Sequence, residues 1–179
     1  MLNKPRGVVT SAADEQGRQT VYAFLEPGLP WLAPVGRLDK ASEGLLLFTN
    51  DSDWAAAVSA PETHLEKTYH VKVNCVGDQT LIDTITAVVT TPNGERLHTK
   101  HARILRHGKK NTWLEVVLDE GKNRQLRRIF ATLGVEVLRL VRVAIGPLPL
   151  GELAKGASRP LTIEEKQSLD RAMRETTAA

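Results

Sequence analysis

The chain has one cysteine, Cys75, in 179 residues. A lone thiol excludes an internal disulfide and any C-x-x-C metal site. No run of about 18 apolar residues occurs, so no membrane helix is expected. The opening residues Met1 to Gly7 lack the apolar core of a signal peptide, and a cytoplasmic location is the expectation. A Walker loop, a dinucleotide fingerprint, an internal repeat and a low-complexity linker are also missing. Carboxylates do not cluster as a metal-dependent nuclease would need. Asp51 and Asp53 read as helix caps rather than a metal pair, and His98 and His101 have no third ligand nearby. No metal and no cofactor is therefore expected.

What is present is an ordinary globular composition, with 41% hydrophobic and 25% charged residues. The length predicts a single domain over residues 1–179, built as two lobes with a boundary near 62–66. The net charge of +3 hides an asymmetry. Residues 96–110 hold Arg96, Lys100, Arg103, Arg106, Lys109 and Lys110 and no acid. Residues 121–142 hold Lys122, Arg124, Arg127, Arg128, Arg139 and Arg142 against Glu136 alone. The remainder of the chain is acidic. Positive charge gathered on an acidic chain points to a polyanionic partner, although such runs also serve as solvated faces.

Local patterns give an α+β chain. Val8 to Thr10 are β-branched residues after Pro5 and predict a short strand. Thr20 to Leu25 predict a short helix before Pro27-Gly28. Residues 54–59 predict a helix capped from Asn50 to Asp53 and stopped by Pro61. Residues 64–74 alternate as a strand, with Tyr69, Val71 and Val73 on one face. Leu81, Ile82 and Ile85 have helical spacing, and Asn93-Gly94 predicts a hairpin turn. Thr112 to Leu118 and Val135 to Val143 read as strands, the latter with Arg139 and Arg142 outward or toward the polyanionic partner. Between them, Leu126, Ile129, Phe130 and Leu133 form a helical stripe that Asn123 would cap and Gly134 would close. Arg124, Arg127 and Arg128 then line one flank. Thr162 with Glu165 predicts a capping box for a last helix through about Arg174.

The stretch Gly36-Arg37-Leu38-Asp39-Lys40-Ala41-Ser42-Glu43-Gly44-Leu45-Leu46-Leu47-Phe48 organises the rest. Leu45 to Phe48 read as a strand buried on both faces, and Asp39 sits in the loop before it. A carboxylate between Arg37 and Lys40 stays ionised and has the makings of a nucleophile. The same residues also fit a turn aspartate in a surface ion pair.

Gly-Arg-Leu-Asp followed by Ser-Glu-Gly-Leu-Leu-Leu resembles the nucleophile motif of the pseudouridine synthases, closest to the ribosomal RNA branch with a small-subunit prototype. Asn3-Lys4-Pro5-Arg6-Gly7 resembles that family's first motif, Lys67-Thr68-Tyr69-His70-Val71 its second signature, and Glu120-Gly121-Lys122-Asn123-Arg124-Gln125-Leu126-Arg127-Arg128 its third. Lys155 to Leu161 resembles the closing segment. The match runs from Asn3 to about Leu161 in the family's order. It implies a mixed, mostly antiparallel sheet with flanking helices and two lobes around a catalytic cleft. It implies an isomerase that flips a uridine out of ribosomal RNA, large subunit slightly favoured over small, and exchanges its C–N for a C–C glycosidic bond without a cofactor. Asp39 would be the nucleophile, Tyr69 would lie against the base and take part in proton transfer, and Arg127 would pair with Asp39. Arg37 would occupy the space the base vacates. Lys67, Lys109, Lys110, Lys122, Arg124, Arg128 and Arg142 are the candidate RNA contacts, and the Asn3-Lys4-Pro5-Arg6-Gly7 phrase is expected to support the floor of the site, with no catalytic role for Asn3, Lys4 or Pro5. Many relatives carry a small S4-like RNA-binding domain ahead of the first motif. The expectation here is a monomeric form without it, whether a separate sub-branch or a shortened chain.

A non-catalytic ribosome assembly factor on the same fold would keep the basic stretches equally well. It would have no reason to keep Asp39, Tyr69 and Arg127 together.

Overall fold

The computed structural model describes residues 1–177. The described residues form ten strands and four α-helices. The strands are β1 Leu2–Lys4, β2 Ala33–Val35, β3 Glu43–Thr49, β4 Lys67–Val73, β5 Val89–Thr90, β6 Arg96–Leu97, β7 His101–His107, β8 Thr112–Leu118, β9 Val137–Ile145 and β10 Leu148–Pro149. The helices are α1 Ser52–Ser59, α2 Gln79–Thr86, α3 Gln125–Thr132 and α4 Ile163–Thr177. The main sheet runs β1-β3-β9-β4-β8-β7, with β2 added to β3 and β10 to β9; β5 and β6 pair separately. Every pairing is antiparallel except β3 with β9. The expected α+β architecture, a mixed and mostly antiparallel sheet with flanking helices, is therefore present.

β9 is the spine. It joins β3 on one side and β4 on the other. The helices fall on opposite faces on either side of it. On the β4–β8–β7 side, Val71, Val73, Leu114 and Val116 pack against Ile82 and Ile85 of α2 and Leu126, Ile129 and Phe130 of α3. On the β3 side, Leu45 and Leu47 pack against Val58 of α1 and Leu169 of α4. Leu46 points the other way, into a third core with Leu2, Val8, Val21 and Leu38. The continuous apolar run is thus a strand covered on both faces, and each of its three leucines, at most 1% exposed, contributes about 2 kcal/mol by burial.

Helix ends follow side-chain chemistry in three of four cases. The Asp51 carboxylate accepts from the Asp53 and Trp54 amides at the start of α1, and Asp78 accepts from Leu81 at the start of α2. Thr162 and Glu165 form the reciprocal capping box at α4. The exception is α3. Asn123 does not cap it; Arg124 occupies the cap position with a left-handed backbone, φ 49°, and no side-chain cap. A second correction concerns the N-terminus. Leu2–Lys4 forms β1 against β3, while Val9 makes only an isolated bridge to Thr20. Pairing there follows the register of β3, which outweighs the β-branched run. The predicted helix at residues 20–25 is a single 3-10 turn, Val21–Phe24.

Candidate active site

Asp39 lies in the loop between β2 and β3, and that loop is tied down from inside. Lys4 is fully buried and its ammonium donates to the carbonyls of Pro5, Asp39 and Ser42 at 3.0, 3.0 and 2.8 Å. Burial lowers its pKa to about 8, because little charge is nearby to offset desolvation beyond Asp39 and Glu43. The Ser42 amide also bonds the Asp39 carbonyl at 2.9 Å, and the Thr10 hydroxyl donates to the Leu38 carbonyl at 2.8 Å. The backbone of the loop is therefore fixed on both sides of the carboxylate. Leu38 anchors it in the core, while Arg37 is exposed beside it.

Two guanidinium groups from the start of α3 meet one oxygen of Asp39. Arg124 Nη1 donates to Oδ2 at 3.0 Å, and Arg127 Nε lies 3.5 Å from the same atom. Arg127 also donates through Nη2 to the Ala41 carbonyl at 3.0 Å and the Ser42 hydroxyl at 3.3 Å. Its side chain is 15% exposed, whereas that of Arg124 is 50% exposed. Burial pulls the Arg127 pKa down and the Asp39 charge pulls it back up, with a net lowering; an arginine remains a cation regardless. So the expected Asp39–Arg127 proximity is there, but the hydrogen bond to the carboxylate comes from Arg124, which the sequence reading had placed among RNA contacts. Arg127 holds mainly the loop. The adjacent arginines of the third motif were the available signal; which of them reaches Asp39 depends on the left-handed turn before α3.

Tyr69 is half-buried on β4, in register with Arg142 of β9, which is in turn in register with Gly44 of β3. This row leads from the Asp39 loop to the tyrosine, two strands away, roughly 10 Å. Arg142 departs from expectation. It does not point outward; it is 6% exposed, and its Nε donates to the Leu45 carbonyl at 2.8 Å. A parallel β3–β9 contact leaves that carbonyl in need of a donor, and the arginine supplies it. Its Nη2 is buried with no partner among the described residues. Lys67 is part-buried rather than exposed, with its pKa lowered by desolvation and by the Arg142 charge.

The other candidate contacts scatter. Lys122 pairs with Glu120 at 3.0 Å, and Arg128 pairs with Glu95. Lys122 precedes α3 and Arg128 lies on it, and neither contacts Asp39. Lys109 and Lys110 sit exposed in the turn between β7 and β8, at the Val73 end of β4. That end is four residues past Tyr69, about 13 Å along the strand. Gln125, expected only as part of the motif, is buried and donates to the His98 carbonyl and to Glu120. A separate cavity of about 250 Å³, lined by residues including Leu25, Phe48, Trp54 and Leu161, contains none of these site residues. Among the described residues no group of three or more His, Cys, Asp or Glu is placed to hold a metal.

Comparison with known proteins places the chain in a family. Residues 1–132 match the family model described as RNA pseudouridylate synthase. The chain belongs to that family, whose members are isomerases. It is 35% identical over 170 residues to the ribosomal large subunit pseudouridine synthase B of Bacillus subtilis, covering 94% of this chain and 70% of that one. It is 37% identical over 172 residues to the ribosomal small subunit pseudouridine synthase A of Escherichia coli, covering 94% and 72%. A crystal structure of a pseudouridylate synthase superposes with a TM-score of 0.78 at 34% identity, covering 94% of this chain and 71% of that one.

Proposed function

We propose that this enzyme isomerises a uridine of ribosomal RNA to pseudouridine, with Asp39 as the nucleophile. The supporting observation is a single carboxylate oxygen held by guanidinium groups that lie 85 residues or more further along the chain, in a loop pinned by a buried lysine. Two guanidinium groups on one oxygen fix the rotamer of the carboxylate. The names of the Bacillus subtilis and Escherichia coli relatives support a ribosomal RNA substrate. Large-subunit RNA is the first to test.

The target uridine must leave its stack, at a cost of a few kcal/mol that phosphate contacts offset. Arg37, exposed two residues before Asp39, is assigned to the space the base vacates. Asp39 then promotes cleavage of the N1–C1′ bond, whose electron pair departs with the uracil. The uracil turns, and C5 bonds to C1′. The proton on C5 leaves with help from Tyr69, and N1 ends protonated. Substrate and product are isomers, so the balance needs no oxidant, reductant or water. Lys67, Lys122, Arg124 and Arg128 are assigned to the phosphates around the target. Arg142 supports the strand beneath Tyr69 from inside. We assign the enzyme to the cytoplasm, where it acts as a monomer.

The test is pseudouridine mapping on unmodified transcripts of both ribosomal RNAs. The wild-type chain is expected to modify a defined uridine. Asp39→Asn keeps the size of the side chain and removes its charge; it should bind the transcript with unchanged Kd and form no pseudouridine. Full activity in that variant would reject the assignment.

A further inference from the structure

The basic stretch at residues 96–110 does not converge on Asp39. Most of it lies on β7 and the turn that follows, and half of that strand faces away from the catalytic side. The alternation of β8 makes the division clear. Thr112, Leu114, Val116 and Leu118 are buried toward α2 and α3, while Trp113, Glu115 and Val117 are part-exposed on the opposite face. Cross-strand register then aligns four residues in one row on that opposite face. Arg139 of β9 pairs with Lys72 of β4, Lys72 with Trp113 of β8, and Trp113 with Arg106 of β7.

This row spans roughly 14 Å across four strands. Three of its members are cations and the fourth is an indole. The guanidinium carbons of Arg106 and Arg139 lie 5.3 and 5.6 Å from the centre of the Trp113 ring. The ring thus holds two arginines in place and keeps them next to Lys72. Like charges on adjacent strands repel, so the row costs stability in the free protein. Arg139 is relieved by Glu43. Lys72 and Arg106 form no ion pair with an acid among the described residues, and neither do Lys109 and Lys110 at the adjoining turn. Lys72 and Arg106, with Lys109 and Lys110 beside them, are therefore cations without an acid partner among the described residues, next to a row in which Arg139 alone is paired, and a polyanion laid across the row would relieve their repulsion.

We propose that the open face of β9–β4–β8–β7, with the turn at residues 108–111, is a second RNA-binding surface. It grips the phosphate backbone of an RNA segment other than the one bearing the target uridine. The proposal rests on the reading of the chain as an RNA-modifying enzyme. Tyr69 and Asp39 serve the catalytic side, and this surface lies on the reverse of the same sheet. The substrate it fits is a branched or folded RNA whose second arm passes around the β7 edge, so that recognition takes in more than the target stem.

The experiment uses the full chain and unmodified transcripts of both ribosomal RNAs. The double variant Lys72→Gln with Arg106→Gln should lower the slope of log K against log salt by roughly 1.5, and weaken binding about tenfold near 0.1 M salt. Lys72→Arg with Arg106→Lys keeps both charges and should restore the slope, which separates lost charge from lost fold. Ultraviolet cross-linking of the wild type should place RNA on the peptide containing Trp113. An unchanged slope in the Gln variant, together with no cross-link on that peptide, overturns the proposal. So does a cross-link from that peptide only to protein in a ribosomal fraction. Pseudouridine formation is measured in the same tubes: its absence in the wild type counts against the catalytic reading, while the cross-link and the slope decide this surface independently.

Discussion

Arg124 makes the shorter contact with Asp39, 3.0 Å from Oδ2 against 3.5 Å for Arg127. The shorter contact is also the more exposed one. An ion pair open to water contributes only about 0.2–1 kcal/mol. Arg127 is sheltered and carries two further hydrogen bonds to Ala41 and Ser42. Geometry therefore divides the work: Arg127 fixes the loop, and Arg124 is the more exposed and more loosely held counter-ion.

That division predicts unequal losses. Arg124→Ala should lower kcat/KM by about fivefold or less, mostly through KM, in keeping with an exposed pair. Arg127→Ala should lower kcat by about 100-fold, since a loop released from its Ala41 and Ser42 bonds lets the carboxylate shift by about 1 Å. Single-turnover rates on a saturating transcript separate the two. Equal effects on kcat would refute the division.

Gly44 has φ 104°, and an added Cβ would press on the Arg142 backbone, 2.8 Å from its nitrogen and closer still to its carbonyl oxygen. The clash is with main chain, which cannot step aside without breaking the parallel β3–β9 contact. Gly44→Ala should cost about 3 kcal/mol or more in urea unfolding. Gly7, with φ 91° and nothing within 4 Å, supplies the control. Gly7→Ala should cost only about 1–2 kcal/mol, the price of the left-handed backbone alone. Similar losses in both would show that the close approach is not what constrains Gly44.

Glu43 is 2% exposed and receives Arg139 at 2.9 Å and Lys155 at 2.7 Å. Burial pushes its carboxyl pKa up, but the hydrogen bonds from Arg139 and Lys155 outweigh it and hold the carboxyl below its ordinary range. A folded-state pKa below the unfolded one gives stability that is present above the unfolded value and lost as pH falls through the folded one. The Tm advantage of wild type over Glu43→Gln should therefore be full at pH 6 and shrink steadily below about pH 4.5. A difference independent of pH would mean the carboxylate is not stabilised by its partners.

How much of this was legible beforehand varies by residue. The run Leu45-Leu46-Leu47 announced a strand covered on both faces because an unbroken apolar series leaves no side for water. The Thr162–Glu165 box and the Asp51 cap were equally plain, since capping is a contact within one turn. The Asp39 loop, the Tyr69 strand and the arginine helix were each readable as segments. Their family resemblance is supported by the match over residues 1–132.

What the one-dimensional order left open were contacts between segments far apart in the chain. Whether Arg124 or Arg127 bonds the carboxylate depends on a left-handed residue at the start of α3, a conformation that side-chain type does not announce. Arg142 went inside because the β3–β9 pairing created a buried carbonyl to satisfy, and Lys67 followed it into part-burial. The positive charge at residues 96–110 looked like one patch, but strand alternation and sheet register sent it to two sides of the molecule. The sequence settled which groups are available, because composition and short-range periodicity are properties of neighbours. Only the folded sheet decided which of them meet, because pairing between distant strands is set by register and burial over the whole chain.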